Sequence, residues 1–310
     1  MLARRPLQGV DSRYREIDVL GGLYIVPSGA HAGEVREEVL TRHIRALEVQ
    51  TSDLGFLDGL PVEFLILNTP RPDIRPVNGL HQMRSIALDA WTGDLDLSTL
   101  PSLRWFGATE PEKEQVAGLL GQGHDGLDHL TIGRWPRHDF RDMDGFPRLS
   151  HLEVGDSRAL ASLEGASQLP LLRVLELYRC PALTGLEGIA RTGLEHLGIE
   201  TCNKITDLKP LASLSALRSV QIELRKPPSL EPLFGHPTLE FVWLIGGKRP
   251  PEELDALLDL PSARIIQSSR GSWMREAREW DHMPDIYAMT DEQHAAYERL
   301  HDERNAIKSW

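Results

Sequence analysis

The chain has 310 residues, 41% of them apolar, and 34 basic against 46 acidic side chains leave a formal net charge of −12. That balance argues against duplex nucleic acid or an anionic membrane as the main partner and favours a basic protein or peptide. No stretch approaches 18 uninterrupted apolar residues, so no spanning helix is expected.

At the N-terminus Arg4 and Arg5 are followed by Pro6, Gln8 and Asp11 where a secretory leader would need an apolar run. The two cysteines, Cys180 and Cys202, do not form a disulfide framework by count, and Asn-x-Ser/Thr is absent. The expected setting is therefore cytoplasmic. Residues 1–43 read as an N-terminal cap, with a strand or hairpin in the apolar run Val19 to Val26 and a short helix from Glu34 to His43.

From Ile44 a phrase of the form apolar-x-x-apolar-x-apolar returns at intervals of 18 to 24 residues. In order its apolar positions are Ile44, Leu47, Val49; Val62, Leu65, Leu67; Met83, Ile86, Leu88; Leu103, Phe106, Ala108; Leu127, Leu130, Ile132; and Leu149, Leu152, Val154. It continues with Leu172, Leu175, Leu177; Leu194, Leu197, Ile199; Leu217, Val220, Ile222; and Leu239, Val242, Leu244, with Ala263 and Ile266 as a degenerate last copy. A unit this short cannot bury its own apolar face and must stack on its neighbours. The outer segments vary. Pro111 to Leu120 and Pro251 to Leu258 each open on proline and acidic residues, which predicts helices. Asp142, Asp144 and Gly145 lack the remaining ligands of a calcium loop and read as an outer turn.

These phrases resemble the leucine-rich repeat family over residues 44–270, and Ile205 to Leu214 is similar to the bacterial internalin-like subtype. The resemblance implies an α/β fold: a right-handed horseshoe solenoid of about 10–11 repeats, with a parallel sheet on its concave face and a cap at each end. It also implies that the ninth position of each phrase bonds backbone inside the turn. Cys180 and Cys202 fall there, so both thiols are expected to be buried and structural, which removes a cysteine nucleophile. Residues 271–310 are the expected C-terminal cap. In it Thr290 and Gln293 have capping-box spacing, and Tyr297, Leu300 and Ile307 recur at helical spacing. That helix either seals the last repeat or docks a partner.

Alternation along a strand sends the third, fifth and seventh positions of each phrase to the concave face. The candidate partner-binding residues read from those columns are Trp105, His129, His151, Glu153, Glu176, Tyr178, Glu200, Glu223, Phe241 and Trp243. Acids dominate the centre and aromatics the ends, which suits a basic protein surface. The alternative for Phe241 and Trp243 is cover by the C-terminal segment. His129 and His151 share a column in adjacent repeats, about 5 Å apart, with Glu153 and Glu176 beside them; His196 lies roughly 10 Å beyond His151 by the same spacing. The set falls short of a closed zinc site, so no cofactor or metal is expected, and a pH-sensitive surface is the better use of these imidazoles. The leading functional expectation is a non-enzymatic interaction module: an adaptor, a regulator or, by analogy with leucine-rich inhibitors, a toxin-neutralising protein. A metal-dependent protein or enzyme built on the His/Glu group, and a self-assembling protein using Trp243 and the C-terminal helix, are the alternatives.

Overall fold

The computed structural model describes residues 2–5, 17, 20–226, 228–268, 270–276, 279–283 and 289–308. They fall into two compact units, Met1–Pro136 with Asp142–Leu149, and Arg137–Arg141 with Ser150–Trp310. Both are built from leucine-rich repeats.

In the first unit, β1 (Ala3–Arg5) runs antiparallel to β2 (Leu23–Val26). From β2 the pairing is parallel and steps through β3 (Ala46–Val49), β4 (Phe64–Leu67), β5 (Ser85–Leu88), β6 (Trp105–Ala108) and β7 (His129–Gly133). Register is set by the apolar phrase: Leu47, Leu65, Ile86, Phe106 and Leu130 stand opposite one another, each at most 1% exposed. Slipping any strand by one residue would turn these side chains to the opposite face. The parallel stack thus begins one strand before the first phrase. Tyr24 pairs with Leu47, and α1 (Ala32–Arg42) connects these two strands. That helix buries Val35 and Val39, four residues apart, and stops where His43 takes the left-handed conformation.

Later outer segments are short 3-10 turns at Gly55–Leu57, Arg75–Gly79 and Leu97–Thr99, and then α2 (Lys113–Gln122). The helix expected over 111–120 starts two residues late because Glu112 and Gln115 form a reciprocal capping box.

The second unit repeats the plan with β8 (His151–Gly155), β9 (Val174–Tyr178), β10 (His196–Glu200), β11 (Ser219–Glu223), β12 (Phe241–Ile245) and β13 (Ile265–Ser268), all parallel. Its outer segments are 3-10 turns at Ala166–Gln168, Glu187–Ile189, Lys209–Ser213 and Glu231–Leu233, followed by α3 (Pro251–Leu258), which has proline in its first turn. Beyond β13 the chain reverses into an antiparallel pair, β14 (Gly271–Glu276) and β15 (Glu279–Met283), and ends in α4 (Asp291–Lys308). The capping box forms as the spacing predicts: Thr290 N–H donates to Gln293 Oε1 at 3.1 Å and Gln293 N–H to Thr290 Oγ1 at 3.3 Å.

Inside the turns the cysteines are fully buried. Cys202 Sγ lies 3.4 Å from the Glu200 carbonyl and accepts from the Cys180 backbone N–H, also at 3.4 Å, while Cys180 Sγ reaches the Val154 carbonyl at 3.7 Å. The ninth-position Ser157 serves the same turn one repeat earlier, accepting from the Leu160 N–H at 3.0 Å.

Candidate functional site

The sheet of each unit has one face packed on the apolar phrase and one face carrying the third, fifth and seventh columns. At the start of the first unit that second face is closed: Ile17, Leu20 and Leu23 pack on Ala46, Phe64 and Ile66. Further along, Trp105 is half-buried and its ring meets His129 at 5.3 Å between centroids. The indole lies flat across Gly107, where a Cβ would sit 2.1 Å from the ring. Glycine at the fifth position is what lets this tryptophan lie down.

In the second unit the third column is not solvent-facing. His151 is 4% exposed, Val174, His196, Ser219 and Phe241 not at all. Strands about 4.8 Å apart in register stack same-column side chains directly on one another, so each is covered on both sides. His151 and Phe241 are therefore corrected from projecting groups to buried ones. The fifth and seventh columns stay partly open: Glu153, Glu176, Tyr178, Glu200 and Glu223 are all half-buried.

Trp243 is a second correction. α4 folds across β11 to β13 and buries Phe241 and Trp243 in a cluster with Ile265, Met274, Met283, Ala296, Leu300 and Ile307. The cover is also polar. The Arg304 guanidinium stands 4.1 Å above the Trp243 ring and donates to Gln221 Oε1 at 2.6 Å, and His301 meets Trp243 edge-on at 6.1 Å. Burial pulls the Arg304 guanidinium below its usual range, and Glu176 acts in the opposite direction. The alternative reading of the aromatic pair, cover by the C-terminal segment, is what the structure shows.

What remains open is an acidic strip. Register sets Glu153 opposite Glu176, and Glu200 opposite Glu223. Like charges directly opposite on parallel strands destabilise a sheet. The consequence is visible at Glu200, whose carboxyl is held above its usual value by burial, then by Glu223 and Glu176, against the pull of Arg179. On the rim Arg179 stacks 4.5 Å over Tyr178 and pairs with Asp156 at 2.6 Å. Residues of this rim sit in the left-handed region without being glycine: Asp156 at φ 51°, Arg179 at 48° and Thr201 at 57°.

Two arrangements were not foreseen from sequence. One is the second column, where sign alternates over Arg45, Glu63 and Arg84 and again from Arg173 to Arg264. Glu63 is buried between Arg45 and Arg84, and further on Arg173 pairs with Glu195, Arg218 with Glu240 at 2.6 Å, and Arg264 with both Glu240 and Glu303. Aligning the phrases by their second letter exposes that signal. The other is the position of Glu176. Its carboxylate lies between two imidazoles from flanking strands, with Oε2 3.9 Å from His151 Nε2 and Oε1 3.4 Å from His196 Nε2. His196, set aside on spacing alone, is thus joined to His151 through the glutamate between them. His129 is a member of the first unit, and the group that gathers in the second is His151, Glu153 and Glu176.

The repeated phrase and the strand register together define a leucine-rich-repeat fold. No family model matches the chain, and no curated protein matches it. Among solved structures it is similar to an internalin from Listeria monocytogenes, at 15% identity and a TM-score of 0.45, covering 83% of this chain and 88% of that one. It is also similar to the protein of a TLR13–ssRNA13 complex, at 17% identity and a TM-score of 0.35, over 74% of this chain and 48% of that one. Among the described residues no helix is long and apolar enough to cross a membrane.

Proposed function

We propose that this chain is a non-enzymatic protein-interaction module that takes a basic protein surface on the acidic strip of β8 to β11. The observation that carries the reading is the pair of in-register acid couples, Glu153 with Glu176 and Glu200 with Glu223. Four partly exposed carboxylates held against one another cost stability in the isolated protein, and lysine or arginine side chains from a partner would relieve that cost. Tyr178 beside them offers a planar contact of the kind that anchors interfaces. The same charges disfavour a phosphate backbone. The buried, reduced Cys180 and Cys202 support a cytoplasmic setting, where an adaptor, regulator or toxin-neutralising role would fit. Self-assembly through Trp243 is the weaker reading, since α4 covers the surface it needs.

The test compares the untagged wild type with the double variant Glu200→Lys, Glu223→Lys. Wild type should form a stoichiometric complex with a basic protein in low-salt extract, resolved by size exclusion, and the variant should lose it. A complex that survives the charge reversal, or one made with an acidic protein, would reject the acidic-strip reading.

A further inference from the structure

Glu176 has a setting unlike the other acids of the strip. His151, Glu153 and Glu176 each offer one ligand atom, and these three atoms lie within 4.8 Å of one another. His151 belongs to β8, Glu153 is two residues along the same strand, and Glu176 stands opposite Glu153 on β9. A strand places residues two apart on one face, so this trio converges because of the fold. We infer that His151, Glu153 and Glu176 form a binding site for one divalent transition-metal cation of the Zn2+ or Mn2+ class.

The chemistry fits the donor set. One neutral imidazole and two carboxylates suit Zn2+ or Mn2+ in a site that keeps positions for water. Donors about 2.1 Å from an ion stand about 3.4 Å apart in a tetrahedral arrangement, so the widest pair of the trio would contract by up to about 1.4 Å. His151 Nε2 and Glu176 Oε2 already stand 3.9 Å apart, so most of that movement falls to the half-exposed Glu153.

Support extends past the three ligands. His196 Nδ1 is 2.8 Å from Ser219 Oγ and its Nε2 is 3.4 Å from Glu176 Oε1. If the serine hydroxyl donates to Nδ1, the imidazole proton sits on Nε2 and faces the carboxylate. Outer partners of this kind fix a ligating carboxylate in place. Space for it comes from Gly198 on β10, opposite Glu176, where a Cβ would stand 3.3 Å from Glu176 Cγ and 3.5 Å from His196 Nε2. Arg304 acts electrostatically on Glu176 as well, a positive charge that opposes a bound cation and that the second carboxylate, Glu153, offsets.

The experiment loads untagged full-length protein with Zn2+ and, separately, Mn2+, removes free ion by gel filtration, and measures metal per chain alongside calorimetric titration. One ion per chain is expected. His151→Ala and Glu176→Gln should abolish stoichiometric binding, Glu153→Gln should weaken it at least tenfold, and His196→Gln should weaken it about tenfold with the stoichiometry kept. Circular dichroism of each variant reports folding, and Glu153→Gln, on a half-exposed side chain, keeps the test decisive should His151→Ala not fold. Absence of stoichiometric metal in the wild type, or unchanged affinity in Glu153→Gln and Glu176→Gln, overturns the site. Partner capture through Glu200 and Glu223 is read independently of metal content, so the two proposals fail separately.

Discussion

Arg304 of α4 lies 4.1 Å above the ring of Trp243 on β12, and this contact closes the end of the second unit's open face. Arg304 is 6% exposed, so the attraction acts with little water between the partners. A desolvated cation–π contact contributes about 2 kcal/mol. The aliphatic stem packs as well. Arg304→Ala is expected to cost about 2–4 kcal/mol in urea unfolding, and Arg304→Met, which keeps the stem, about half of that. A variant as stable as wild type would mean that α4 rests on the terminal repeat without being held by this residue.

The ladder thiols give a second prediction. Hydrogen bonding to Cys202 and burial hold the Cys180 thiol well above its usual value, which disfavours the thiolate. The same contact pulls the Cys202 thiol the other way, but both thiols are fully buried. Native protein should therefore leave both unreacted with an aromatic disulfide reagent at neutral pH, and two per chain should appear in denaturant. Rapid labelling of the native protein would contradict this packing.

How far the sequence reaches is visible in these same residues. The phrase Leu172, Leu175, Leu177 announces strand, register and core at once, because an apolar side chain in a fixed place has one job. The ninth-position cysteines and the Thr290 capping box were legible for the same reason: each effect is local to a few residues. The open face was less so. Alternation correctly sends Phe241 and Trp243 away from the repeat core, but whether such a side chain meets solvent depends on α4, some sixty residues later in the chain. Burial of the histidine column was hidden too, since it arises from stacking between strands. The antiparallel pair β14 and β15 carries no repeated pattern, and its pairing is dictated by the exposed edge of β13.

Thr201 supplies a prediction about the rim. Its φ of 57° places a β-branched residue in the left-handed region, while its N–H donates to the Glu223 carbonyl at 2.8 Å. The turn is thus held by backbone bonding against an unfavourable side chain. Asparagine tolerates that conformation. Thr201→Asn should raise stability by about 0.5–1 kcal/mol in urea unfolding. A loss of stability would show that the threonine side chain contributes more than its strain costs.

Glu200 joins stability to the proposed interaction. Burial, Glu223 and Glu176 hold its folded carboxyl above its ordinary value of 4.5. The native state therefore keeps its proton where the unfolded chain has lost it, and stability falls as pH rises through the carboxylate range. Glu200→Gln removes that ionisation cost. The variant should melt above wild type at pH 7, and the difference should shrink as pH falls below 4.5, where the group is protonated in both states. The same substitution should weaken a basic partner and flatten the salt dependence of its binding. A variant that melts lower at pH 7 would remove the strain assigned to the acid couples. One that melts higher yet binds its partner unchanged would locate the interface away from β10.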